Sequence, residues 1–395
     1  MKPKIAIAGA GPAGTSLAIR LARQDFDVTL IERETFPRHK LCGEFLSPEC
    51  LSHFKDLGVL NDMLSAGGER IIETRFYEPG GRSFGVSSRS FNGDGFALSL
   101  SRSEMDMCML DRAKSVGVRV FEGCTAVAVS VDKGQIKNLT ARRNSGEKFV
   151  TSADLFVDAT GRSCVLAKLA AKNEPSRVER TIAPKSLFVG FKSHLKGARI
   201  EKGSCEIYLF PGGYGGLSPV AIGLTNYCFL VKSGVARQFG GDADKIIRNV
   251  VSRNKRAAET LLRAETTIDW LAVSVDSFGR KSGNTASNLF SIGDSAAFID
   301  PFTGSGMLIA FESAAMLAES IALYQYSLAS IAEYYLEKYS QTFTRRLKIC
   351  SFLRRAAFVP YLPTLAISLL NLSERGSGLL AASTRSGRSK WPKIR

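Results

Sequence analysis

The chain is poor in the residues that build metal and acid–base centres. Three histidines (His39, His53, His194) and eight scattered cysteines without a C-x-x-C pair offer no ligand spacing for a metal site. No signal-like segment opens the sequence, so most cysteines are expected to be reduced, buried small hydrophobes in a cytoplasmic protein. The late apolar run "AAFVPYLPTLAISLLNL" is too short for a bilayer and is broken by Pro360 and Pro363, which argues against a membrane span. No Ser/His/Asp or paired-carboxylate constellation is visible, an absence that excludes little where a cofactor carries the hard step. Acids are also scarce relative to bases. The 53 Lys+Arg against 37 Asp+Glu give a net charge of +16, so an anionic partner is expected: a phosphorylated ligand or an anionic bilayer surface. Nucleic acid is not expected, since no recognised binding module accompanies the charge.

What is present begins at once. At 395 residues and 45% apolar content the chain can bury a large α/β domain with an inserted one. The opening "KIAIAGAGPAGTSLAIRLARQDFDVTLIERE" reads as strand, glycine turn, helix to about Gln24 and a second strand ending on Glu32. Gly9 suits the tight turn, Gly11 the close approach of backbone to a pyrophosphate, and Gly14 the packing of helix on strand. Pro12 and Ala13 complete the turn, and the phosphates are expected on the helix N-terminus. Glu32 is placed for the ribose hydroxyls of a dinucleotide.

Three later segments follow in order. "SLSRSEMDMCMLDRAKSVGVRVFEG" reads as a helix from about Ser103 with Arg102 just ahead of it, then a strand. "ADLFVDATGRSCVLAKLA" is a strand ending on Asp158 that turns through Gly161. "NLFSIGDSAAFIDPFTGSGMLIAFESAAMLAESI" is a strand reaching Gly293 and Asp294, a glycine loop, and a long apolar helix. Over about residues 1 to 325 this ordered set resembles the flavoprotein family of p-hydroxybenzoate hydroxylase-type aromatic hydroxylases, geranylgeranyl reductases and flavin-dependent halogenases.

The resemblance implies FAD, with NADH or NADPH as electron donor. It places Gly9, Gly11, Pro12, Ala13, Gly14, Glu32 and Arg33 at the pyrophosphate and adenosine ribose, and Arg102 at the phosphate and ribityl region. Asp158 and Gly161 belong to the second cofactor segment, where "DATGR" replaces the usual Asp-Gly pair. Asp294 is implied at the ribityl chain, and Pro301, Gly304, Ser305, Gly306 and Met307 against the isoalloxazine ring. Backbone N–H groups at that helix start would face the negative charge a reduced flavin carries. "FPRHKLCGEFLSPE" is similar to the reductase segment near the flavin, with Arg38 and Lys40 implied at FAD phosphates and Cys42 and Glu44 facing the reacting ring. A depressed thiol pKa beside these basic residues would suit Cys42 for catalysis.

The expected fold is α/β: a Rossmann-like FAD domain of glutathione-reductase type (1–64, 96–174, 281–325), an interleaved antiparallel β-sheet substrate domain (65–95, 175–280), and a helical, basic C-terminal region (326–395). The sheet domain is read from alternating segments such as "RFYEPGGRSFGVSS", "KSLFVGFKSHL", "CEIYLFPGG" and "TNYCFLVKS". In "GGYGGLSPV" Tyr214 and Pro219 are kept from the aromatic pattern of the reductases and halogenases, but Gly216 replaces a tryptophan and Ser218 precedes the proline. Halogenation is therefore disfavoured, and a bulkier, ring-shaped hydrophobic substrate can be admitted, with Tyr214 a candidate catalytic residue beside it, as are Cys42 and Glu44. The expected reaction is hydroxylation of an aromatic or polyketide-like substrate through a flavin C4a-hydroperoxide. The alternatives are reduction of a prenyl-type double bond with Cys42 relaying the proton, and a non-catalytic flavoprotein or lipid-surface module. From Gln341 onward eleven Lys/Arg face the single acid Glu374, which leads to an expected peripheral contact with the inner face of an anionic membrane.

Overall fold

The computed structural model describes residues 2–91, 93–173, 187–275, 278–280, 286–299 and 304–357. The loop position Pro301 and residues 358–395 of the basic C-terminus therefore lie outside the described residues, while its first part, from Gln341, ends the helix Leu328–Ala357.

The first sheet is parallel and five-stranded, in the order Leu289–Ser291, Leu155–Asp158, Lys4–Ala8, Asp27–Ile31, Arg119–Phe121. Its central strands are near-continuous apolar runs, as strands covered on both faces must be. Helices Pro12–Ala22, Arg102–Ser115 and Gly306–Tyr324 pack on one face through Leu17, Leu21, Met109, Phe311 and Leu317. Helix Gly306–Tyr324 is long and apolar enough to cross a membrane, but its residues are mostly buried in this core. A three-stranded antiparallel meander, Cys124–Asp132, Gln135–Arg143 and Lys148–Ser152, covers the other face. The helix expected to follow Arg102 begins on it: Ser101 caps the helix by accepting from the Glu104 N–H (3.2 Å).

The second sheet has eight strands and draws on both halves of the chain. Strands Glu73–Tyr77 and Ser83–Ser87 join Phe188–Lys196, Ser204–Phe210, Gly213–Ala221, Leu224–Lys232, Glu265–Thr266 and Leu271–Val275. It is not wholly antiparallel, because Ser204–Phe210 pairs in parallel with Glu73–Tyr77. The short helices Ser233–Gln238, Ala243–Asn249 and Lys255–Leu261, unanticipated in a segment read only as strands, cover the far face of this sheet. There Tyr208, Tyr227, Phe229 and Val231 meet Ala236, Ile246 and Ala257. The near face is left to confront the carboxyl ends of the first sheet.

Candidate active site

A cavity of about 930 Å³ lies between the two sheets. Open parallel sheets bind ligands beyond the carboxyl ends of their strands, and the strands Lys4–Ala8, Asp27–Ile31, Leu155–Asp158 and Leu289–Ser291 all end at this cavity or beside it.

Its first wall is made by turns. Gly9, at φ +101°, lies so close to the strand Leu155–Asp158 that a Cβ there would meet the Ala159 carbonyl oxygen at 2.4 Å. A Cβ on Gly14 would lie 1.9 Å from the Gly9 oxygen, so helix and turn can approach only without one. Gly11 has nothing within 4 Å of a Cβ position, which leaves its backbone open to the cavity for a phosphate. Glu32 is buried and holds the turn through both oxygens, accepting from Ala10 N–H (2.7 Å) and Glu34 N–H (3.0 Å).

Four cationic side chains, Arg33, Arg38, Lys40 and Arg102, also line this wall. Arg102 is oriented by a bidentate pair with buried Asp106 (2.8 and 2.7 Å), and Arg38 reaches the same carboxylate at 3.2 Å. Nε and Nη1 of Arg38 are buried yet have no well-aligned acceptor. Burial, then repulsion from Arg38, Arg102 and Arg33, pushes the Lys40 ammonium below its ordinary pKa. Open glycine backbone, a buried Arg38 Nε–H with no acceptor and crowded cations fit a dinucleotide pyrophosphate.

Asp294, Gly304, Gly306 and Met307 line the cavity where helix Gly306–Tyr324 begins, with Gly161 across from them. Ser305 occupies the N-cap position of that helix and is buried instead of lining the cavity. Asp158 corrects the sequence-based expectation. Its buried carboxylate accepts from Thr160 N–H (3.0 Å), Thr160 Oγ1 (2.6 Å), Ala167 N–H (3.0 Å) and Ser295 Oγ (3.2 Å), so it braces the turn behind the cavity.

The second wall is the near face of the second sheet. Side chains alternate across a strand, and the register aligns those facing inward. Phe84, Phe76, Ile207, Gly216 and Cys228 form one row, and Leu209, Tyr214, Leu230, Gly190 and Val273 the next. Every one of these lines the cavity, and among the described residues of this sheet no charged side chain does. Burial pushes the Cys228 thiol far up, which keeps it protonated.

Between the walls runs the segment holding Cys42 and Glu44. Both line the cavity, and Cys42 Sγ accepts from the Glu44 N–H (3.4 Å) beside the Arg102 guanidinium. Glu44 was expected to face the reacting ring, but its wholly buried carboxylate is taken by other groups. Oε1 accepts from Arg102 N–H (2.7 Å) and Lys192 Nζ (2.8 Å), and Oε2 pairs with His194 Nε2 (2.7 Å). Burial alone would raise the Glu44 pKa. The hydrogen bond from His194 and the charge of Lys192 outweigh it and hold the acid below its usual range. Lys192, His194 and Asp106 were not foreseen. The one signal was Lys-x-His at strand spacing, which puts Lys192 and His194 on the same face of an otherwise apolar segment.

A family model described as "FAD binding domain" matches residues 2–346. The chain is 27% identical over 370 residues to a tryptophan 2-halogenase of Chondromyces crocatus, covering 88% of this chain and 67% of that one. It is 27% identical over 331 residues to a menaquinone reductase of Mycobacterium tuberculosis, covering 80% of this chain and 75% of that one. It spans between 64% and 67% of the length of the curated halogenases it matches. A solved structure of the flavin-dependent brominase Bmp2 has the same fold, with a TM-score of 0.78 at 18% identity over 100% of this chain and 96% of that one.

Proposed function

The chain belongs to the FAD binding domain family, and from that premise we propose that it is a monooxygenase acting on an apolar aromatic or polyketide-like substrate. The glycine turn, Glu32, Arg38, Lys40 and Arg102 would hold the adenosine and pyrophosphate of FAD, and Asp294 with the N-terminus of helix Gly306–Tyr324 the flavin end. Bound FAD supplies the electron transfer and oxygen activation. The chain's own part is to seat an apolar molecule against the flavin and to keep water out.

The observation that carries this reading is the uncharged second wall. Burying a charged substrate there would leave its charge unpaired, whereas an aromatic ring would trade water for Phe76, Ile207, Tyr214 and Leu230. Reduction of a double bond needs a proton delivered to substrate carbon. Glu44 is tied to three donors, which leaves Cys42 as the proton source in that segment next to the proposed flavin site. Cys42→Ser should therefore leave a hydroxylase largely active and abolish turnover by a reductase, as measured by product formation. Gly216 and Ser218 in place of larger residues disfavour halogenation, the activity named in several relatives.

The direct test is anaerobic reduction of the FAD-loaded protein with NADH or NADPH, then rapid mixing with oxygen. A transient absorbance distinct from oxidised and reduced flavin, with product heavier by one oxygen atom, is the expected result. Direct reoxidation with no transient, in the presence of an apolar aromatic ligand that binds, would sink the proposal.

A further inference from the structure

Glu44 is where the cofactor-side segment, helix Arg102–Ser115 and the second sheet meet on one carboxylate. It stands at φ +53°, a conformation disfavoured for a residue with a Cβ, so surrounding contacts must hold it there. Those contacts come from both walls. From the first side, its carbonyl accepts from Ser99 Oγ (3.0 Å) and Leu100 N–H (3.3 Å), and its carboxylate from Arg102 N–H. From the sheet, Lys192 and His194 grip the two oxygens, and Asn226, opposite His194 in the register, donates to the Cys42 carbonyl (3.0 Å).

The strip of sheet that grips the segment continues into the strip that lines the cavity. Lys192 lies opposite Cys228, and Cys228 opposite Gly216. Any shift of Lys192 against Glu44 thus moves the Cys228 and Gly216 part of the wall relative to Cys42. Lys192 is wholly buried, so its ammonium has no water to fall back on if Glu44 is neutralised.

We infer that Glu44 is a positioning residue that sets the gap between the Cys42 segment and the Gly216–Cys228 wall, where an apolar substrate would meet the flavin ring. This rests on the reading of that gap as the substrate seat. On this inference the charge pairing, and not the filled volume alone, fixes the separation.

The test uses FAD-loaded protein, Glu44→Gln, and the pair Glu44→Met with Lys192→Met. Three quantities are read: melting temperature, the visible circular dichroism of the bound flavin, and the Kd of the apolar dye Nile red. Glu44→Gln should melt lower, bind the dye at least ten-fold more weakly and change the flavin signal. The methionine pair should regain only part of the melting temperature, because no unpaired ammonium is left buried at Lys192 while Arg102 N–H and His194 still lose their acceptor, and it should regain neither dye affinity nor flavin signal. Recovery of all three by the methionine pair would show that volume alone suffices and would overturn the inference. A Glu44→Gln protein that melts lower with both cavity signals intact would overturn it too. If Glu44→Gln fails to fold, the methionine pair against the parent decides. Should the parent itself not bind the dye, the apolar-substrate reading fails, and the flavin signal still decides the role of Glu44.

Discussion

One wall of the cavity is written in short runs of sequence, and the other in alternate residues of strands drawn from residues 73 to 275. The first uses turns, strand ends and cations, so its contacts depend on backbone that cannot move. The second uses side-chain bulk on a sheet whose hydrogen bonding is indifferent to that bulk. A cofactor shared by many proteins can be held by the first kind of surface. A substrate that differs among relatives needs the second, where one substitution reshapes the space and leaves the scaffold alone.

The largest break should come at Gly14→Val. Its Cβ would lie 1.9 Å from the Gly9 carbonyl oxygen, and neither group can yield because both are backbone. Purified protein should carry no flavin absorbance and melt far below the parent, if it is soluble at all. Glu32→Ala removes the acceptor of Ala10 and Glu34 and, on the proposed reading, a ribose contact, for a loss of about 1.5–3 kcal/mol. FAD titration should show Kd rising roughly ten- to hundred-fold. On the opposite wall, Gly216→Trp should leave FAD content and melting temperature close to the parent. A Cβ there meets only the flexible end of Ile207, at 3.1 Å, and the remaining bulk enters the cavity. Nile red affinity should fall about ten-fold, or about 1.4 kcal/mol. Parent-like dye binding would show that the sheet face is not the seat.

The smallest effect sharpens the comparison from behind the first wall. His53 stacks on Phe311, and burial followed by the charge of Arg20 lowers its pKa to about 3. Its unfolded form takes up a proton near pH 6.5, so the stability it confers is complete above that pH and is lost as pH falls towards 3. At pH 6 the loss is about 1 kcal/mol. His53→Gln should flatten the dependence of melting temperature on pH across this window without changing dye affinity.

The same contrast governs what could be read from the chain. The turn of Gly9, Gly11, Gly14 and Glu32 was legible because its residues lie close together in the chain, and the order of later segments carried Arg102 and Asp294 to the same cavity. Asp158 misled because an acid at a strand end looks alike whether it meets a ligand or braces a turn. The sheet partners of Glu44 lie 148 and 150 residues away, a pairing no local pattern announces. Nor could alternation alone show that Ser204–Phe210 runs parallel to Glu73–Tyr77, because register is decided between elements.

That parallel pairing also bears on how the chain is made. The hairpin Glu73–Ser87 leaves the ribosome with its Glu73–Tyr77 edge unpaired, and the neighbour of that edge, Ser204–Phe210, follows roughly 130 residues later, on the order of ten seconds at ordinary rates of synthesis. Until then the edge of Glu73–Tyr77, which carries Phe76, stands open to other nascent chains, and the second wall cannot begin to close before its distant partner is translated.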